Sequence, residues 1–309
     1  MSLLVTGSLG LDTIETPSGR VDNVLGGSAL YFAYAASFFA PVRLVGVVGE
    51  DWPTSLEEVY KGRPVDLSGL ERRKGSKSFR WRGSYLKDLN EAESIHTDLN
   101  VLAEAAPRIP DKFLDSRYVF LANTHPALQQ DMLARLKHVE LAVADTMNLW
   151  INVEREELLK LLGKIDGLVL NDGEARLLTE KGNMVAAARD VLKMGPRFVV
   201  IKKGEHGSLM AWRRQDNATP TEIQTFVLPG YPTERIVDPT GAGDSFAAGM
   251  MGYLATQQSL SPSTIKRAMA FGTVVASFTI SDFSLEGLKR TTREEIDERY
   301  ERLKAAMSF

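Results

Sequence analysis

Residues 238 to 249 read Asp-Pro-Thr-Gly-Ala-Gly-Asp-Ser-Phe-Ala-Ala-Gly, a glycine-rich turn running straight into an apolar, helix-compatible stretch. Such a turn leaves backbone N–H groups without intrahelical partners at a helix N-terminus, where the helix dipole favours an anion. Phosphate is the natural guest, and Gly241 and Gly243 let the backbone come close to it. A carboxylate at Asp244 inside that turn is electrostatically adverse unless it has a task. Accepting the proton of a hydroxyl nucleophile would be such a task, while nearby amides stabilise charge developing on a transferring phosphoryl group. Asp244 also fits an ordinary acidic residue in a first helical turn.

The elements that would carry this turn follow from the hydrophobic pattern. Leu3 to Gly7, Arg43 to Val48, Tyr118 to Leu121, Leu141 to Ala144, Gly167 to Leu170 and Arg197 to Ile201 are short apolar runs that suit buried strands. Polar–apolar stretches over 129–137, 154–163, 174–179 and 184–194 predict helices between them. A further helix, small and aromatic, is predicted over 29–39 with Ser28 as its N-cap. Strands alternating with helices predict an α/β fold with a mostly parallel sheet and helices on both faces. Thr13 to Leu25 and Ser76 to Leu86 break this rhythm, because they alternate polar with apolar as half-exposed antiparallel strands do, and predict a small second sheet.

The turn Asp238-Pro-Thr-Gly-Ala-Gly-Asp244 closely resembles the signature of the ribokinase-like, or pfkB, carbohydrate kinases. Asn171-Asp-Gly-Glu174, following a strand, resembles that family's Asn-x-x-Glu motif. Lys203-Gly204-Glu205-His206-Gly207 is similar to its nucleotide-site turn, while Gly7 to Asp12, Gly26 to Ala29 and Val45 to Asp51 match its substrate-side landmarks in order. The resemblance extends from residue 3 to about 285 and implies a single three-layer α/β/α kinase domain over 1–309, with a β lid from about 13–25 and 76–100. It implies transfer of the γ-phosphoryl group of Mg-ATP to a hydroxymethyl of a small sugar, with a nucleoside acceptor or a non-catalytic nucleotide-binding regulator as alternatives. In that frame Asp244 is the base, and the amides of Gly241, Ala242 and Gly243 form the anion hole. Asp12, Gly26, Gly27 and Tyr31 meet the acceptor. Asn171, Lys202, Gly204, Gly207 and Thr273 meet the nucleotide, and Glu174 with Asn171 organises Mg²⁺ through water. Asp238 and Thr240 stand where some members hold a monovalent cation; potassium is left open, because Ser281-Asp282-Phe283-Ser284 lacks the glycine often found there. Ser28 and Tyr31 replace the Lys and Asn typical of ribokinases proper, which speaks against ribose. A homodimer through the lid is a family-level expectation, and Arg80 and Arg82 on the lid are expected to be solvated, to meet a partner subunit or to pair with a substrate phosphate.

Composition narrows the alternatives. With 37 Lys and Arg against 40 Asp and Glu, the net charge of −3 lacks the basic surplus of a nucleic-acid binder. The absence of cysteine removes a disulfide framework, a thiolate metal site and a Cys nucleophile, and fits a reducing compartment. Pro41 and Arg43 interrupt the apolar stretch over 29–48, leaving less than the ~20 residues a bilayer span needs. No signal peptide is legible at the N-terminus, so the protein is expected to be cytoplasmic without a membrane partner. Gly243-Asp-Ser245-Phe-Ala247 approaches a nucleophile elbow, but its last glycine is missing and His96, His125, His138 and His206 all precede Ser245, against the order of that fold. No Gly-x₄-Gly-Lys-Ser/Thr loop and no zinc motif occurs.

Overall fold

The computed structural model describes residues 2–213 and 223–308. In chain order the N-terminal half carries strands β1 (Leu3–Thr6), β2 (Gly10–Thr16) and β3 (Gly19–Gly26), helix α1 (Ser28–Ala36), and strands β4 (Val42–Gly49), β5 (Val65–Arg73), β6 (Phe79–Ser84), β7 (Glu93–Asp98) and β8 (Tyr118–Leu121). It continues through α2 (Pro126–Arg135), β9 (Leu141–Asp145), α3 (Asn148–Val153), α4 (Arg155–Leu162), β10 (Gly167–Asn171), α5 (Asp172–Thr179) and α6 (Met184–Lys193). The last part holds β11 (Phe198–Lys202), β12 (Ser208–Arg213), β13 (Ile223–Leu228), α7 (Ala242–Leu254), α8 (Pro262–Thr279), α9 (Glu286–Lys289) and α10 (Arg293–Ala306).

The strands form a nine-stranded sheet in the order β13-β12-β11-β10-β9-β8-β1-β4-β5 and a four-stranded sheet in the order β3-β2-β6-β7. In the large sheet β5 through β11 pair in parallel, and β12 and β13 close one edge in antiparallel fashion. Its central strands are apolar on both faces. Leu3, Phe120, Val143, Val169 and Val200 enter one core with α1, α7 and α8, while Leu4, Val119, Ala144, Leu168 and Val199 enter the other with α4, α5 and α6. This period-2 division puts helices on both sides and makes a three-layer α/β/α architecture. All nine residues of α1 are buried, including Phe32, whose ring stacks on Phe120 at 4.4 Å.

Two expectations need correction. The small sheet is not antiparallel throughout: its two hairpins, β2–β3 and β6–β7, are joined by parallel pairing of β2 with β6. Alternation within a strand does not report which sequence-distant strand it pairs with, or in which direction. Ser28 does not cap α1. Gly27 does, at φ 98° without a side-chain cap, and the Ser28 hydroxyl instead lies 3.0 Å from Ser8 Oγ and donates to Asn123 O at 3.2 Å. Arg80, a partly exposed lid residue, pairs with Asp51 at 2.9 Å and Asn23 at 2.7 Å. Among the described residues, no helix is long and apolar enough to cross a membrane.

Candidate active site

Parallel α/β sheets bind ligands in the crevice beyond the carboxyl ends of their strands. In this chain those ends carry Asn123 after β8, Asp145 on β9, Asn171 on β10 and Lys202 on β11. The N-terminus of α7 faces them. Gly241, its N-cap, takes a left-handed φ of 76°, and a Cβ there would lie 2.4 Å from Tyr31 Cδ1, so glycine lets α1 pack directly against the turn. At Gly243 a Cβ would come within 2.6 Å of Lys202 Nζ. The Ala242 amide donates to Pro239 O at 3.1 Å. Among the described residues the amides of Gly241 and Gly243 have no partner, which leaves two of the three expected anion-hole donors unspent.

Around Lys202 stand three carboxyl groups brought together from β9, α5 and α7. Asp244 is pushed up to about 6 by burial, against the pull of Lys202 and its own amide. Glu174 is pushed up to about 7 by burial, again opposed by Lys202 and by the Asn171 amide. Burial, with the charges of Asp244 and Glu174 adding to it, holds Asp145 well above the ordinary carboxylate range. Asn171 and Glu174 form a capping box: Asn171 Oδ1 accepts from the Glu174 amide at 2.7 Å, and Glu174 Oε2 accepts from the Asn171 amide at 2.7 Å. The helical cap and a cation-binding role are thus compatible, because the cap fixes the carboxylate and leaves its second oxygen available. Asp145 was not selected from sequence. An acid ending an apolar β run was its one signal, and only the strand order puts it beside Glu174 and Asp244.

The small sheet closes the other side. Asp12 on β2 is buried, and Oδ1 has no partner among the described residues. Burial pushes Asp12 up to about 8, with the charges of Asp238 and Asp244 adding to the shift. Gly26 exists for this carboxylate, because a Cβ there would lie 1.9 Å from Asp12 Oδ2. Gly27, at its left-handed φ, brings the start of α1 so near β1 that a Cβ would meet Ser8 O at 2.5 Å. Among the described residues the buried Tyr31 hydroxyl has no partner, and burial with the charges of Asp238 and Asp12 raises it well above its usual value. Asp238 is engaged by backbone, with Oδ1 accepting from Thr240 N at 2.9 Å and Oδ2 from Ser284 N at 3.2 Å. Thr240 Oγ1 lies 3.4 Å from the Tyr85 hydroxyl of the small-sheet side. Ser284 adopts the left-handed φ of 54° that the missing glycine would take easily.

A buried acid whose folded pKa exceeds its unfolded one holds its proton in the native state and releases it on unfolding, so its contribution to stability falls as pH rises between the two values. For Asp12 that window runs from about 4 to about 8. The ligand-free protein should therefore melt at lower temperature at pH 8 than at pH 5, and Asp12→Asn should flatten this loss. A thermal melt series in which the variant loses as much as the wild type would contradict it.

Gly204 and Gly207, expected from sequence to meet the nucleotide, take φ of 54° and 78° in the turn from β11 to β12, and a Cβ at Gly207 would come within 2.0 Å of Leu228 O. A Cβ at Gly204 would lie 1.9 Å from Asn90 Oδ1, so the loop between β6 and β7 reaches this turn. Thr273 is buried on α8, which packs along α7. Asn123 and Trp150 also escaped sequence reasoning. Asn123 Oδ1 accepts from Trp150 Nε1 at 2.9 Å, and its carbonyl accepts from Ser28, which ties α3 to the start of α1.

A hard cation takes oxygen ligands and keeps water, and Glu174, with one oxygen outside the cap, and Asp145, whose buried Oδ1 has no partner among the described residues, suit Mg²⁺. The strand ends and the α7 N-terminus thus bring carboxyl groups and a glycine turn into one crevice, an arrangement suited to binding a phosphate. The chain belongs to the pfkB family of carbohydrate kinases, matching it over residues 6–289, and so is an ATP-dependent kinase. Among curated relatives, the cytidine kinase of Thermococcus kodakarensis is 29% identical over 257 residues, covering 82% of this chain and 88% of that one. Among solved structures, a Burkholderia thailandensis nucleoside kinase in complex with inosine superposes at a TM-score of 0.76 with 18% identity, covering 98% of this chain and 99% of the other. A putative ribokinase II from E. coli in complex with ATP and Mg²⁺ gives a TM-score of 0.75 with 16% identity, covering 97% and 99%.

Proposed function

We propose that the protein transfers the γ-phosphoryl group of ATP to the hydroxymethyl of a nucleoside, with Asp244 as general base. The observation that carries the chemistry is Asp244 in the first turn of α7, beside the unpartnered amides of Gly241 and Gly243. The nucleoside acceptor is supported by the cytidine kinase relative, whose similarity spans 82% of this chain. Departure from ribokinase at Ser28 and Tyr31 agrees, since Ser28 is spent on Ser8 and Asn123 and Tyr31 packs an aromatic ring against Gly241.

Asp12 receives acceptor hydroxyls and fixes the hydroxymethyl toward Asp244. The small sheet acts as a lid that excludes water, with the Asn90 loop over the nucleotide turn. The amides of Gly241 and Gly243 hold the transferring group. Glu174, Asn171 and Asp145 hold Mg²⁺, which supplies charge neutralisation on the phosphate oxygens.

ADP release from Mg-ATP across cytidine, inosine, adenosine, ribose and fructose tests the acceptor. Cytidine or another nucleoside is expected to turn over fastest, and a sugar preferred over every nucleoside would overturn the acceptor class. The pH profile tests the base. A protonated carboxyl cannot accept a proton, so kcat/KM should fall tenfold per pH unit below about 6, the value to which Asp244 is pushed. A profile flat from pH 7 to pH 5 would exclude Asp244 as the base.

A further inference from the structure

On the face of the small sheet that carries Asp12, glycines stand where side chains cross the backbone. A Cβ at Gly10 would lie 2.5 Å from Phe79 Cδ1, and one at Gly83 would lie 2.0, 2.2 and 2.7 Å from Cη2, Cζ2 and Cζ3 of Trp81. Register brings these side chains together, because Val24, Asp12, Trp81 and Thr97 form one row across β3, β2, β6 and β7 and so share a face. The indole is held from two sides: its six-membered ring rests against Gly83, and its Nε1 donates to Ser94 Oγ at 2.9 Å. Trp52, Trp150 and Trp212 are buried, whereas Trp81 is half-buried. Among the described residues, neither Trp81 nor Phe79 stacks on another ring. An indole fixed against backbone, with no ring of the protein stacked on it, offers its π-face to a planar ligand.

We propose that Trp81 is a specificity-determining residue for the acceptor, its indole stacking on the base of a nucleoside whose ribose hydroxyls sit on Asp12. This deepens the nucleoside reading above and rests on it. Adjacent strands lie about 4.8 Å apart, so the indole stands one strand away from the carboxylate that receives hydroxyls. A nucleoside carries the same juxtaposition, since its planar base is attached to the carbon next to the one bearing the 2′-hydroxyl. A free sugar has nothing planar to set against the ring. Stacking reads a flat π-surface rather than a hydrogen-bonding edge, so Trp81 accepts pyrimidine and purine nucleosides alike and disfavours sugars without a base. Gly83 is the seat that lets the indole lie there, and its φ is not positive, so a methyl at 83 displaces the ring without straining the backbone.

The test measures calorimetric affinity for cytidine, inosine and methyl β-D-ribofuranoside, in which a methoxy group replaces the base. Wild type should bind the better nucleoside about 5- to 150-fold more tightly than the methyl riboside, the size of one base–aromatic stack. Trp81→Leu and Gly83→Ala should each erase most of that preference, the second with the indole still present, while Trp81→Phe keeps most of it. Combining Trp81→Leu with Gly83→Ala should cost no more than Trp81→Leu alone, because both remove the same contact. Affinity for Mg-ADP should stay within about twofold throughout, which certifies the fold, and two substitutions at different positions guard against the failure of one. A preference left intact by Trp81→Leu would overturn the proposal. So would equal losses of nucleoside and methyl riboside affinity, which would make Trp81 a support of the small sheet. A wild type that binds the methyl riboside or fructose more tightly than either nucleoside would instead overturn the nucleoside reading itself.

Discussion

Asp244→Asn is expected to lower kcat by about 10²–10⁴-fold while leaving ATP affinity within a few fold, because it keeps shape and removes only the proton acceptor. With its carboxyl pushed up to about 6, Asp244 is ionised in a ratio of about ten to one at pH 7, and still basic enough to draw a proton from a hydroxyl at the moment of attack. An unperturbed aspartate would be ionised too, but it would be a weaker base. Burial supplies the increase, and Lys202 keeps it from going so far that the group stays protonated. Steady-state turnover with calorimetric ATP binding checks the expectation. Equal losses of turnover and ATP binding would mean that Asp244 serves the turn's structure, and turnover within tenfold of wild type would place the base elsewhere.

Gly241→Val should be nearly as damaging, for a different reason. The left-handed φ of 76° costs an L-residue roughly 1–2 kcal/mol, and any Cβ would meet the Tyr31 ring at 2.4 Å. Either the turn shifts or α1 is pushed from its bed, and both displace the amides proposed to hold the transferring group. A kcat lower by about 10²–10³-fold is expected, as for loss of an oxyanion donor, with a lower melting temperature. The two causes are separable: Gly241→Ala in a Tyr31→Ala background relieves the clash but keeps the backbone cost. If the double variant is no more stable than the sum of the two singles, the ring contact is not what requires glycine at 241.

Much of this framework was legible from sequence because its physical causes are local. Strands β1, β4 and β8 to β11 are short apolar runs buried on both faces, and each lies within a residue or two of its expected bounds. Strands β5, β12 and β13 were not foreseen: β5 and β13 are edge strands whose half-exposed patterns blur into those of loops, and β12, though buried from Ser208 to Trp212, carries no β-branched residue. The glycine turn and the Asn171–Glu174 pair were visible because chemistry at a helix N-terminus needs residues that are neighbours in the chain. Asp145, Asn123 and Trp150 were not visible, because strand order alone brings them to the crevice. Ser28 illustrates a different limit: a serine before a helix reads as a cap, but Ser8 and the Asn123 carbonyl compete for its hydroxyl and win. Ser284 takes the left-handed φ of 54° without being glycine, which its residue type alone does not announce.

The most direct test of Asp244-dependent transfer is the ³¹P spectrum of a reaction mixture holding Mg-ATP and cytidine, recorded for wild type and for Asp244→Asn. Wild type should convert the γ-phosphate resonance into that of a phosphate monoester on the nucleoside as ADP appears, and the variant should leave ATP intact over the same time. Formation of the same ester at the same rate by Asp244→Asn, or release of inorganic phosphate alone by wild type with every acceptor tried, would contradict the account.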